Sequence, residues 1–171
     1  MANIFSKLKN SFKKDKDQTS NNPTSLFSYG QGLIADIEES SDQTFASKVL
    51  GDGLVLFPAD NKIYAPQACK IEAVFPSKHA LNLSLANGLK LMIHCGIDTV
   101  ELDGQGFEVF VKEGQEVKKG DLLLSFDEKL LEEKGYKTET MLILLDLEDG
   151  VEVKKYLGEK KPGDRIINIK N

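Results

Sequence analysis

From Leu26 onward the chain alternates short apolar segments with turn signals. The turns are marked by Gly30 and Gly32, Gly51-Asp52-Gly53, Asp60-Asn61, Asn87-Gly88, Asp103-Gly104, Lys119-Gly120-Asp121, Asp149-Gly150 and Pro162-Gly163-Asp164. The intervening pieces are rich in Val, Ile, Leu and Phe, and in places they alternate strictly, as in Leu81, Leu83 and Leu85 followed by Leu89, Leu91 and Ile93. Apolar residues two apart line one face of a strand, and many short strands with frequent turns build sandwiches or barrels. The pattern therefore predicts an all-β domain. Helix is expected in one place, Glu128 to Lys134, where Leu130 and Leu131 sit among acids and lysines ahead of Gly135. The pieces Glu113 to Leu124 and Lys160 to Ile167 share a turn-then-strand shape, a faint sign of internal pseudo-symmetry.

The two histidines of the chain, His79 and His94, lie on the apparent strands that flank Asn87-Gly88. Asn-Gly is a strong signal for a two-residue hairpin turn. Such a turn pairs Ala86 with Leu89, sets His79 opposite Gly96 and His94 opposite Leu81, and makes the imidazoles diagonal neighbours with Cβ atoms about 7 to 8 Å apart. The leucine alternation asks for something else. Facing Leu81, Leu83 and Leu85 with Leu89, Leu91 and Ile93 requires an odd loop, which throws the histidines onto opposite faces. A β-bulge near one histidine satisfies both demands, and such an irregularity is expected.

Composition narrows the function classes. The 171 residues carry 22 Lys+Arg against 27 Asp+Glu, a net charge of -5, with 40% apolar and 29% charged residues. That suffices for a real core, and no apolar run approaches the roughly 20 residues of a membrane span. An acidic domain without a basic stripe argues against nucleic-acid binding. Cys69 and Cys95 form no Cys-x-x-Cys motif and no signal-peptide pattern opens the chain, so a reduced, cytoplasmic setting is expected. Residues 1–25 stand apart. They carry a charge of +3 against -8 for the remainder, and Ile4, Phe5, Leu8 and Phe12 recur at helical spacing among lysines. This reads either as a soluble tail or as an interfacial helix on an anionic membrane surface. The expected division is a basic amphipathic tail and linker, 1–25, followed by one domain, 26–171, in which Gln18 to Ser25 is the linker.

The run His94-Cys-Gly-Ile-Asp-Thr-Val-Glu-Leu-Asp-Gly-Gln-Gly-Phe107, with Gly51-Asp-Gly, Tyr64-Ala-Pro and Ser77-Lys-His-Ala upstream and Glu113-Gly-Gln-Glu-Val-Lys-Lys-Gly-Asp downstream, resembles the glucose-type IIA component of the bacterial sugar phosphotransferase system. The likeness covers most of residues 26–170. It implies a compact antiparallel β-sandwich, a barrel-sandwich hybrid with little helix. It also implies a phosphotransferase component that takes a phosphoryl group from the histidine phosphocarrier protein HPr and gives it to a cysteine of a glucose-type IIB or IIBC permease. His94 matches the phosphorylated residue, as a tele-phosphohistidine. His79 matches the imidazole that stabilises the phosphoryl group, and Ser77 a hydroxyl that orients a histidine.

The chemistry suits these residue types. A neutral imidazole is a good nucleophile at pH 7 when a hydrogen bond fixes its other nitrogen, and a second imidazole can donate to phosphoryl oxygens. The resemblance further implies apolar docking residues Phe45, Phe75 and Met92, and rim acids Asp42 and Asp98 that pair with arginines on the partners. No cofactor is required, although a labile zinc on His79 and His94 at a partner interface fits the family. Regulated transporters or metabolic enzymes are further partners that the resemblance suggests. The chain departs from the pattern at Cys95, at Ser28 to Leu33 and at Gln67 to Lys70.

Three other readings compete. A zinc-binding sandwich would use the histidines with Cys95, Asp98 and Glu101, but zinc takes three or four ligands and no close pair such as His-x-His is present. Cys95 as a nucleophile activated by His94 conflicts with the opposite directions of adjacent strand residues. A biotinyl or lipoyl carrier is suggested by the Glu113-Gly-x-x-Val-x-x-Gly-Asp turn, with Lys129 of Asp127-Glu-Lys as its only faint attachment site. An adduct on lysine supports the carrier; an acid-labile phosphate supports the histidine.

Overall fold

The computed structural model describes residues 23–170. Three antiparallel sheets carry these residues. The largest contains β2 (Gly32–Asp36), β3 (Gly53–Pro58), β5 (Cys69–Val74), β6 (Ala80–Ser84), β7 (Lys90–Cys95), β9 (Glu116–Val117), β11 (Thr140–Leu145) and β13 (Gly158–Lys160), in the spatial order β13-β2-β3-β11-β7-β6-β5-β9. A second joins β1 (Thr24–Phe27), β14 (Arg165–Lys170) and β12 (Glu152–Lys155). A third joins β4 (Lys62–Tyr64), β10 (Leu122–Phe126) and β8 (Phe107–Val109). Among the described residues helix is confined to 3-10 turns at Ile37–Glu39 and Thr99–Leu102 and to α1 (Gln43–Ala46) and α2 (Glu128–Glu133). The arrangement is the expected antiparallel β-sandwich. Helix α2 occupies the predicted segment, with the Asp127 side chain accepting from the Leu130 N–H at 3.0 Å to cap it.

Burial explains the layering. One face of the large sheet presents Leu54, Leu56, Leu81, Leu83, Leu91, Ile93, Leu142 and Leu144 to the two small sheets, which supply Leu26, Ile167, Ile63, Leu124 and Phe126 to the same core. Strand β11 is buried on both faces, because Met141 and Ile143 join Val55, Ile37 and Phe45 in a separate apolar cluster on the other side. The segment between β2 and β3 lays Ile37 and Phe45 over that second face. Lys155 ties this segment down: its ammonium donates to Asp36 Oδ2 at 2.7 Å and Asp52 Oδ1 at 2.6 Å, and Lys48 joins Glu38 at 2.7 Å and Asp52 at 3.3 Å.

The hairpin overturns the two-residue turn. Strands β6 and β7 pair Ala80 with His94, Leu81 with Ile93, Asn82 with Met92 and Leu83 with Leu91, without a register shift. The Leu85 N–H donates to the Leu89 carbonyl at 2.8 Å, so Ala86, Asn87 and Gly88 form a three-residue connection, with Gly88 at φ +89°. His79 therefore does not face Gly96, nor His94 Leu81. The reason is energetic: each fully buried Leu or Ile contributes about 1.5 to 3 kcal/mol, and a one-residue slip would turn the whole leucine set of one strand outward. The bulge lies instead on β5, where Ile71 pairs with Leu83 but Ala73 pairs with Asn82.

Thr24 and Ser25, read from sequence as the end of a linker, are already in β1, where Thr24 pairs with Ile169. The Asn87 amide at the hairpin tip donates to Thr24 Oγ1 at 2.7 Å. The amphipathic pattern of Ile4, Phe5, Leu8 and Phe12 lies outside the described residues. Among the described residues no helix is long and apolar enough to cross a membrane.

Candidate functional site

Strand alternation sends Ile93 and Cys95 into the core and leaves His94 on the opposite face, paired with Ala80 on one side and Met141 on the other. Simple continuation of the ladder would leave His79 opposite Cys95, whose N–H does donate to the His79 carbonyl at 2.7 Å. The turn before β6 breaks that alternation. Lys78 adopts φ +58°, its N–H bonds to the Phe75 carbonyl at 2.8 Å, and the His79 ring comes to lie 4.7 Å from the His94 ring at 85°. The irregularity the sequence asks for is thus a left-handed residue at the mouth of the strand, not a bulge within the pair.

Other named residues gather here. The Phe45 ring lies 4.8 Å from His94, and the Phe75 ring 6.0 Å from His79. Met92 packs with Phe45 on the second apolar face. Asp42 caps α1, accepting from the Thr44 N–H at 2.8 Å, and Asp98 is exposed on the turn after His94 at φ +58°. Ser77 is half-buried, and among the described residues it makes no hydrogen bond to either ring. The group that contacts a ring nitrogen of His94 is a backbone carbonyl.

That carbonyl belongs to Gly96, 3.0 Å from His94 Nδ1. A carbonyl only accepts, so Nδ1 carries the proton and Nε2 holds the free lone pair. Gly96 sits at φ +78°, and a Cβ there would collide with Thr99 Cγ2, so the acceptor depends on glycine. Its N–H is held by the Glu139 carbonyl at 2.8 Å, and Thr99 Oγ1 bonds the neighbouring Cys95 carbonyl. Burial pushes the His94 pKa down to about 4, with the adjacent His79 adding to the shift against the opposing Gly96 carbonyl and Asp42. Burial also lowers His79, which is 4% exposed and whose Nδ1 has no hydrogen-bond partner among the described residues. Both rings are therefore neutral at pH 7, and that of His94 has its Nε2 lone pair free.

Sequence reasoning missed Gly96 and Glu139. Glu139 is buried at the head of β11, and its phase with Met141, Ile143 and Leu145 made it the one acid on an apolar row, a signal available beforehand. The competing sites fare poorly. Cys95 is 2% exposed with its thiol pushed up to about 12 by burial, and Lys129 lies within α2, not at a hairpin tip. Among the described residues no group of three or more His, Cys, Asp or Glu could hold a metal ion.

Comparison with known proteins agrees with this geometry. A family model described as phosphoenolpyruvate-dependent sugar phosphotransferase system, EIIA 1, matches residues 24–150. A PTS system glucose-specific EIIA component of Halalkalibacterium halodurans is 37% identical over 170 residues, covering 98% of each chain. A PTS system glucose-specific EIICBA component of Staphylococcus saprophyticus is 43% identical over 124 residues, which is 72% of this chain and 18% of that longer protein. The solved structure of glucose permease IIA from Mycoplasma capricolum superposes with a TM-score of 0.81 at 33% identity, covering 88% of this chain and 98% of the other.

Proposed function

The chain belongs to the EIIA 1 family of the phosphoenolpyruvate-dependent sugar phosphotransferase system, and from that membership we propose how its two histidines serve the family's work. Members are phosphotransferases that carry a phosphohistidine intermediate in sugar uptake, working with HPr and a IIB/IIC component. In this chain His94 is the acceptor. The observation that carries the assignment is the Nδ1 contact to the Gly96 carbonyl, which leaves Nε2 as the attacking atom.

The Nε2 lone pair attacks the phosphorus of phosphorylated HPr; the P–N bond of the donor breaks as the new one forms, and the donor ring leaves with its electron pair. The Nδ1 proton stays on His94, where Gly96 offsets the positive charge that the ring gains. In the onward step a cysteine thiolate of the IIB domain takes the phosphoryl group and His94 leaves as neutral imidazole. His79, at a right angle to His94, donates a hydrogen bond to the phosphoryl oxygens. Positioning and electrostatics supply the catalysis.

Phe45, Phe75 and Met92 form the apolar docking surface, with Asp42 and Asp98 as arginine partners at its rim. Glucose is the sugar that the relatives' names support. The two imidazoles offer two of the three or four ligands zinc takes, so a labile zinc here draws the rest from a bound partner. Because phosphorylation adds up to about two negative charges to an apolar face, transporters or enzymes that dock on the unphosphorylated form are released by it. The basic segment 1–23 serves as a tail ahead of the domain, which opens with β1 at Thr24, and rests on anionic membrane.

The test is phosphoryl transfer from HPr, its kinase and phosphoenolpyruvate. Wild type gains an acid-labile phosphate, His94→Gln gains none, and His79→Gln is labelled but passes the group on poorly. Labelling of His94→Gln at the wild-type level would assign the nucleophile elsewhere.

A further inference from the structure

Glu139 is 8% exposed, and one oxygen of its carboxylate is held by one short segment. Oε2 accepts from the Ser41 N–H at 3.0 Å and from Ser40 Oγ at 3.3 Å, and Ser40 Oγ in turn accepts from the Asp42 N–H at 3.3 Å. Those three residues lead directly into α1, which carries Phe45 against the His94 ring. The backbone of the same glutamate holds the other side of His94: its carbonyl receives the Gly96 N–H, and the Gly96 carbonyl receives Nδ1. One residue thus ties the arm that covers the ring to the loop that orients it.

We propose that Glu139 is a positioning residue for phosphoryl transfer, its carboxylate holding the Ser40–Ala46 arm so that Phe45 and Asp42 stay in register with His94. This rests on the assignment of His94 as acceptor. A buried carboxylate is an expensive way to fasten a loop that Ile37 and Phe45 already anchor by burial. What apolar burial does not supply is direction. Phe45 could slide over Val55 and Met141 with little loss, whereas two donors converging on one oxygen fix where the arm starts. The loop side of His94 is set by main-chain bonds and survives any side-chain change at 139, so loss of the carboxylate acts on the arm alone.

Phosphoryl transfer from phosphorylated HPr and the ring-proton NMR shifts of His94 test this on Glu139→Leu, Glu139→Gln and Ser40→Ala in the full chain. The Phe45 ring current marks the His94 protons whether or not transfer occurs. Glu139→Leu should lose much of that ring-current shift and raise KM for phosphorylated HPr by about tenfold, the factor expected if the arm occupies its competent place a tenth of the time. The kcat should stay within about twofold, since Gly96 still selects Nε2. Glu139→Gln keeps an acceptor oxygen and should restore both readouts. Ser40→Ala, which removes one donor, should move both in the same direction by less, and decides the matter if Glu139→Leu does not fold. Unchanged His94 shifts and KM in Glu139→Leu, or in Ser40→Ala where that variant stands in, would overturn the proposal, as would failure of Glu139→Gln to restore them. Failure of wild type to be labelled at His94 would overturn the acceptor assignment instead, leaving the NMR result to speak for the arm.

Discussion

At the scale of single residues, His94 ties stability to pH in a direction opposite to that of a histidine paired with a carboxylate. Its folded pKa of about 4 lies below the ordinary value of about 6.5, so between these limits the unfolded chain binds a proton that the native state refuses. Stability therefore falls as pH drops from about 6.5 to about 4, and this contribution is absent when His94 is replaced. The thermal midpoint of His94→Gln, compared with wild type, should improve on going from pH 7 to pH 4.5. An offset that stays constant across that range would mean that the ring is not held neutral by burial. Kinetically the same shift keeps Nε2 unprotonated under mildly acidic conditions, where a free imidazole would already be charged.

At the scale of elements, the short helix α2 is a separable part. Its cap, Asp127 to the Leu130 N–H, lies on an element that carries none of the site residues. Asp127→Ala should cost about 1 kcal/mol in urea unfolding while leaving phosphorylation of His94 at the wild-type rate. A parallel loss of phosphoryl transfer would show that α2 reaches the site. Elements of this kind were legible in the sequence, because periodicity and capping are local: α2, the all-β pattern and the opposite directions of His94 and Cys95 all followed from neighbours along the chain. The hairpin was harder. Asn87-Gly88 favoured a two-residue turn, but the choice belonged to five buried aliphatic residues on the paired strands, a sum over contacts that no dipeptide records. The meeting of the imidazoles was legible only as a conflict needing a local irregularity; that Lys78 would supply it with a positive φ was not. Gly96 escaped because its work is done by a backbone carbonyl, which every residue type carries, and Glu139 because its partners, Gly96 and Ser41, lie in segments distant in sequence.

At the scale of the whole molecule, the Lys155 cluster joins the small sheet of β12 to the loop that covers the second apolar face. Burial works against ionisation of Asp36 and Asp52, but the Lys155 hydrogen bonds and the nearby ammonium charges outweigh it, and both carboxyls are held below their ordinary range. Such groups stabilise the fold above their unfolded pKa, and the contribution is lost as pH falls through the lowered values. Lys155→Met should destabilise the protein by about 1 to 3 kcal/mol at pH 7, through two carboxylates left short of a partner. The difference should narrow as pH falls from 7 to 3. A gap of equal size at both values would show that the lysine acts through its packed stem and not through its charge.

The pairing of Thr24 with Ile169, and the bond from Asn87 to Thr24, place the two ends of the described chain side by side at the tip of the β6–β7 hairpin. His94 stands six residues up from Gly88 on β7, about 20 Å away at the rise of a strand. Whatever is tethered before β1 or after β14 therefore leaves well away from the face that carries the two imidazoles. A stretch 43% identical to this chain makes up 18% of the longer Staphylococcus saprophyticus protein, and chain ends gathered away from the imidazoles suit a place within such a longer polypeptide. The fold's modularity is a matter of where the wires attach.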